Sequence, residues 1–127
     1  MDSEHPRHAF VEHATEQQGE LPPQSFPVNM YEAGDALVIV APLPAVTPDD
    51  VSITVDGDRV VIEAALRTAA PKDYLLHEWR YGGYRREVRI PGGFGVRAEA
   101  SLANGQLAVR ILRGDAQTAI DIKPTAP

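Results

Sequence analysis

From Val28 onward, hydrophobic residues recur at every second position, the period that sends successive side chains to opposite faces of a β-strand. The clearest case is a hairpin. Val51, Ile53 and Val55 alternate with Ser52, Thr54 and Asp56, the chain turns at Asp56-Gly57-Asp58, and Val60, Ile62, Ala64 and Leu66 alternate back. A second hairpin is predicted around Asn104-Gly105, residue types that tolerate the positive φ needed at both centres of a type I′ turn. Ala98, Ala100 and Leu102 lead into it, and Leu107, Val109 and Ile111 lead out along one face. Residues 36–41 are apolar on both faces, which suits a strand inside a sheet, and residues 28–32 read as a strand before them. Pro42, Pro44 and Pro48 stop that run, because none can donate to a ladder. Thr47-Pro48-Asp49-Asp50 then predicts a capped helical turn with Pro48 at its first position. Residues 84–90 form a further strand with Tyr84, Arg86, Val88 and Ile90 on one face, whereas residues 74–80 suit a short strand or a helical turn equally. Counting that segment, about eight short strands and no long helix predict an all-β sandwich.

The two ends lack the alternation. Residues 1–27 carry Pro6, Pro22, Pro23 and Pro27 with few apolar side chains, so they read as a flexible N-terminal arm. Residues 28–113 form one domain, and residues 114–127 a C-terminal extension. A chain of 127 residues supports a single core. No apolar run approaches the ~20 residues of a membrane span, and the start lacks the basic-then-apolar order of a signal peptide. A cytoplasmic protein without a membrane partner is expected. The absence of cysteine excludes disulfides and thiolate chemistry, and a net charge of −6 opposes nonspecific attraction to nucleic acid.

Candidate chemistry is sparse. His5, His8 and His13 lie in the arm beside Glu4 and Glu12, but their spacing matches no ligand motif, so no metal is expected. No nucleophile stands in a recognisable motif, there is no phosphate-binding glycine loop, and His77-Glu78 alone does not specify acid–base work. Neither an enzyme nor a cofactor is expected. The run Arg80-Tyr81-Gly82-Gly83-Tyr84-Arg85-Arg86 interleaves cations with stackable rings, as single-strand nucleic-acid binders do, but the acidic total opposes that reading.

Several separated segments, in order, resemble the α-crystallin domain of bacterial-type small heat-shock proteins. Leu43-Pro44-Ala45-Val46 resembles that family's L-P-G-V, with Ala45 where glycine is usual. Asp49-Asp50-Val51-Ser52-Ile53 resembles its (E/D)-D-I-x-V, and Val60-Val61-Ile62 its L-x-I. Residues 84–91 resemble F-x-R-x-(F/V)-x-L-P, and Ala100, Asn104, Gly105 and Leu107 have the spacing of A-x-x-x-N-G-x-L. The resemblance implies an immunoglobulin-like α-crystallin β-sandwich with a flexible N-terminal arm and a C-terminal tail. It also implies an ATP-independent holdase, a chaperone that binds partly unfolded client proteins and prevents their aggregation under stress.

Site residues follow from the same resemblance. Residues 74–80 match a strand that pairs with the neighbouring protomer's sheet, which makes Tyr74, Leu76 and Glu78 candidates for a homodimer interface. Arg86 and Arg89 match arginines near that interface, where pairing with Glu78 or Glu87 is expected; the plainer role is to solvate a sheet face. Ile120-Asp121-Ile122 resembles the family's I-x-I tail, whose isoleucines point the same way in an extended chain and fill adjacent pockets of a neighbour's groove. Such tails link dimers into higher homo-oligomers. The alternative is that the tail folds back onto its own domain as an extra strand. The accepting groove is expected between Val51, Ile53 and Val55 on one side and Ala98, Ala100 and Leu102 on the other, the alanines leaving room for an incoming side chain. Phe10, Val11 and Phe26 are the client-contact candidates of the arm. The runner-up is a p23-like co-chaperone adaptor, which shares the sandwich but lacks the exchanged strand and the tail.

Overall fold

The computed structural model describes residues 23–65, 73–78 and 82–126. Within them the chain forms β1 (Asn29–Ala33), β2 (Ala36–Pro42), β3 (Val51–Asp56), β4 (Arg59–Ala64), β5 (Tyr84–Arg89), β6 (Phe94–Ala103), β7 (Gln106–Arg113) and β8 (Ile120–Ile122). Two antiparallel sheets, in the orders β1-β2-β7-β6 and β5-β4-β3-β8, pack their apolar faces together as a β-sandwich.

The period-two pattern explains the placement of each strand. Val51, Ile53 and Val55 of β3 and Val60 and Ile62 of β4 are fully buried, and they meet Leu107, Val109 and Ile111 of β7 across the core. β2, apolar on both faces, lies inside its sheet between β1 and β7, and Ala36, Leu37, Val38 and Ile39 are all buried there. Asn104 and Gly105 take φ of 54° and 76°, as a type I′ turn requires. Pro48–Asp50 is a 3₁₀ turn whose Asp50 carboxylate accepts from the Thr47 N–H at 3.0 Å and from its hydroxyl at 2.9 Å. Ala45, at the position where the resembled motif has glycine, is held in the left-handed region at φ 67°.

One expected strand is absent from its place. Leu75 and Leu76 form a bend, the rest of residues 73–78 has no regular structure, and the eighth strand among the described residues is the tail segment β8. The reason is pairing: an extended segment is stable only beside a partner strand, and residues 73–78 join no ladder of their own chain. Leu66 and residues 79–81 lie outside the described residues.

Candidate functional site

β3 is the last core strand of one sheet and β6 the edge of the other, so the sandwich opens between them. The inner face of β3 offers Val51, Ile53 and Val55, and that of β6 offers Ala98, Ala100 and Leu102. β8 of the same chain occupies this opening. It pairs antiparallel with β3, Ile122 opposite Ile53 and Ile120 opposite Val55. Directly opposed residues share a face, so both tail isoleucines point inward and pack on the core, partly buried. Asp121 points outward and accepts a hydrogen bond from the Thr54 hydroxyl at 2.8 Å. Within the single chain the tail thus lies in its own groove as an additional strand.

The tail is tied down beyond its isoleucines. Lys123 Nζ donates to the carbonyls of Asp49 and Val51, at 3.0 and 3.2 Å. Pro124 is buried. The Thr125 N–H donates to the Ala100 carbonyl, and the Leu102 N–H donates to the Thr125 carbonyl, both at 3.0 Å. The tail thus bonds to β3 in one sheet and to β6 in the other. A cleft of about 480 Å³ remains beside it, lined by Ala98, Ala100, Ala108, Ile122 and Thr125 among others. Sequence reasoning missed Lys123 and Thr125, although the I-x-I spacing marked the segment that carries them.

At the other side of the sandwich, residues 24–26 lie against β5. The Gln24 N–H donates to the Gly83 carbonyl at 2.7 Å, and the Arg85 N–H donates to the Gln24 carbonyl at 2.9 Å. Phe26 follows, only 5% exposed, with its ring edge-on to Tyr84 at a centroid distance of 6.1 Å. Phe26 is thus a core residue and not a free client-contacting side chain. The flanking prolines conceal this in the sequence. Phe10 and Val11 lie outside the described residues, as do His5, His8 and His13.

The interface candidates are placed separately. Tyr74 is half-buried and stacks on His77, with ring centroids 4.5 Å apart and planes 9° from parallel. Leu75 and Leu76 are 89% and 73% exposed, and Glu78 is exposed. Arg86 and Arg89 emerge on opposite faces of β5, as the period-two rule requires for an odd separation. Arg86 donates to the Phe26 carbonyl at 2.7 Å, and Arg89 pairs with Asp58 at 3.2 Å. Within the chain, Glu87 meets Arg59 at 3.5 Å and Arg85 at 3.7 Å, because strand register decides proximity.

The described part of the basic–aromatic run, residues 82–86, is likewise committed to the fold. Tyr84 is buried against Phe26, and Arg85 pairs with Glu63 at 3.5 Å as well as with Glu87. A ring packed in a core has no face for a base to stack on. Among the described residues no three His, Asp or Glu side chains gather as a metal site, and no helix is long and apolar enough to cross a membrane.

Comparison with known proteins decides the family. The Hsp20/alpha crystallin family model matches residues 29–123, most of the chain. The chain belongs to the Hsp20/alpha crystallin family. Solved structures agree. The small heat-shock protein of Xylella fastidiosa, described as having a distinct high order structure, is 25% identical with a TM-score of 0.62 over 73% of this chain and 89% of that one. Heat shock protein 16.0 of Schizosaccharomyces pombe is 25% identical, TM-score 0.62, over 74% and 92%. The hspA structure from Xanthomonas axonopodis is 22% identical and shares the fold with a TM-score of 0.66 over 75% and 99%. Among curated proteins, none matches the chain. Membership in this family of non-enzymatic small heat-shock proteins supports a chaperone role.

Proposed function

We propose that this Hsp20-family chain is an ATP-independent holdase, acting in the cytoplasm, that binds partly unfolded proteins and keeps them from aggregating. The observation that carries the reading is the apolar groove between β3 and β6 with an I-x-I segment seated in it. Such a groove takes an extended chain through ladder bonds along β3 and through pockets for alternate apolar side chains, which are the features unfolded segments expose. A p23-like adaptor has no use for this tail.

The functional unit is a homodimer. β1 is an unpaired sheet edge, and residues 74–80, with Leu75 and Leu76 exposed, are the segment suited to pair with it from a second copy. Tyr74, Leu76, Glu78 and Arg89 lie in that contact, and Arg86 supports it from beneath through Phe26. Higher homo-oligomers arise when Ile120 and Ile122 leave their own groove for a neighbour's, since the same donors and acceptors serve in both places. Light scattering of a heat-aggregating test protein checks the reading. Suppression is expected at stoichiometric excess of this chain, and undiminished aggregation there would overturn the holdase assignment.

A further inference from the structure

We propose that Asn104 is a site of spontaneous deamidation which the folded β6–β7 turn holds inert, so that the reaction proceeds only when the turn opens. The site is independent of holdase activity, and its only co-reactant is water. The chain has two asparagines, which differ in the residue that follows: Asn29 precedes Met30, whereas Asn104 precedes Gly105. Deamidation begins when the backbone nitrogen of the following residue attacks the asparagine side-chain carbonyl carbon, and a following side chain obstructs that approach. Glycine carries none.

Asn104 is exposed, so water reaches its side chain, but the backbone holds the reacting atoms apart. At φ 54°, Asn104 lies in the left-handed region, where Cβ crowds the residue's own carbonyl oxygen. The carbonyl group is planar, so its other substituent, the Gly105 nitrogen, points away from that side chain. Ring closure needs the nitrogen and Cβ on the same side. From the ~30° of ψ at the first centre of a type I′ turn, that takes roughly a half-turn about the Asn104 Cα–C bond. Such a rotation carries the Asn104–Gly105 peptide out of the turn, and it is opposed on both flanks. Ala103 faces Gln106 as the last pair of the β6–β7 ladder, and the Gly105 carbonyl accepts from the Leu43 N–H at 2.7 Å. Leu43 is fully buried, so its N–H finds no water to replace that acceptor.

When the turn opens, the Gly105 nitrogen adds to the Asn104 Cγ, and the side-chain amino group departs with the Gly105 amide proton as ammonia. A cyclic imide remains. Water then opens either imide carbonyl, giving aspartate at position 104 or isoaspartate, in which the main chain runs through Cβ and Cγ. Overall one water is consumed and one ammonia released. Aspartate still tolerates the left-handed turn. Isoaspartate puts an extra methylene into a two-residue turn whose ends must meet at Ala103 and Gln106, and it draws the Gly105 carbonyl away from Leu43. Because opening breaks the backbone bonds of the Ala103–Gln106 pair and the Leu43 bond together, the folded chain should deamidate about a hundredfold more slowly than the unfolded chain.

The full chain is held in mildly alkaline buffer with and without guanidinium chloride, and the proteolytic peptide carrying position 104 is followed by chromatography and mass spectrometry, which separate its three forms. Hydrogen exchange at the Gln106 amide is measured alongside. The folded chain should react about a hundredfold more slowly than the denatured chain, and by the same factor that protects the Gln106 amide, since one opening exposes both. Gln106→Pro, which removes a ladder donor beside the turn, should bring the folded rate toward the denatured one. Equal rates in the folded and denatured parent overturn the inference. So does a large mismatch between the two protections, because the reaction would then have a route other than turn opening. An unchanged rate in folded Gln106→Pro overturns it as well; should circular dichroism show that variant unfolded, the two protections of the parent decide. Purified isoaspartyl chain should melt below the Asn104→Asp variant, and equal melting would overturn the damage assigned to the extra methylene.

Discussion

At one opening of the sandwich, residues 24–26 bond to the edge of β5 and insert Phe26 into the core; at the other, residues 120–125 bond to β3 and β6 and rest two isoleucines on the core rim. Both segments satisfy exposed ladder groups, which is how edge strands are protected from chance pairing. The difference lies in what is lost on detachment. Pulling out Phe26 leaves a hole among Tyr84 and its neighbours, whereas lifting the tail uncovers a groove whose walls remain packed behind it. Phe26 belongs to the closed core, whereas Ile120 and Ile122 only rest against it, partly buried.

Energetics can break this distinction. Phe26→Ala should cost ~3–5 kcal/mol in urea unfolding, since a large aromatic is removed from a closed core. A loss comparable to that of a surface substitution would place Phe26 outside the cooperative unit. Arg86→Ala should cost ~1.5–3 kcal/mol, because the Phe26 carbonyl then loses a charged donor; Arg86→Lys should recover part of it. Ile120→Ala/Ile122→Ala should cost only ~1–2 kcal/mol whatever the area removed. For a domain that stays folded when its tail detaches, the loss cannot exceed the free energy of docking. If that double variant matches Phe26→Ala, the tail is part of the core after all. The smallest change tests a site remote from both ends: Ala45→Gly should stabilise by about 1 kcal/mol, by relieving a left-handed backbone at φ 67°. A decrease in stability there would show that the Ala45 methyl contributes more than its strain costs.

Much of the fold is legible in the residues. Alternation located the strands of residues 28–112 within a few positions, and Asn104-Gly105 and Thr47 to Asp50 set their turns through local chemistry that needs no distant partner. Groove walls were equally readable, because Ile53 and Ala100 each carry their orientation in their parity along a strand. Contacts whose partner lies far along the chain were not readable. Phe26 sits between polar residues and a proline, and only its meeting with Tyr84 makes it core. Arg86 and Arg89 differ by an odd number of positions, yet their partners depended on which strand lay alongside. Residues 74–78 have strand-forming composition but join no ladder among the described residues.

By itself, then, the sequence determined what is local or periodic: seven short strands' worth of alternation, the turns between them, the absence of thiol chemistry, and an I-x-I segment able to lie in an apolar groove. Only the tertiary structure showed where that segment lies within a single chain. Extended segments have the same hydrogen-bonding groups wherever they lie, so their destination depends on the path the backbone can take. Here that path runs over Gly95 and past Gly114 to the chain's own β3, and ends with Thr125 bonded to β6.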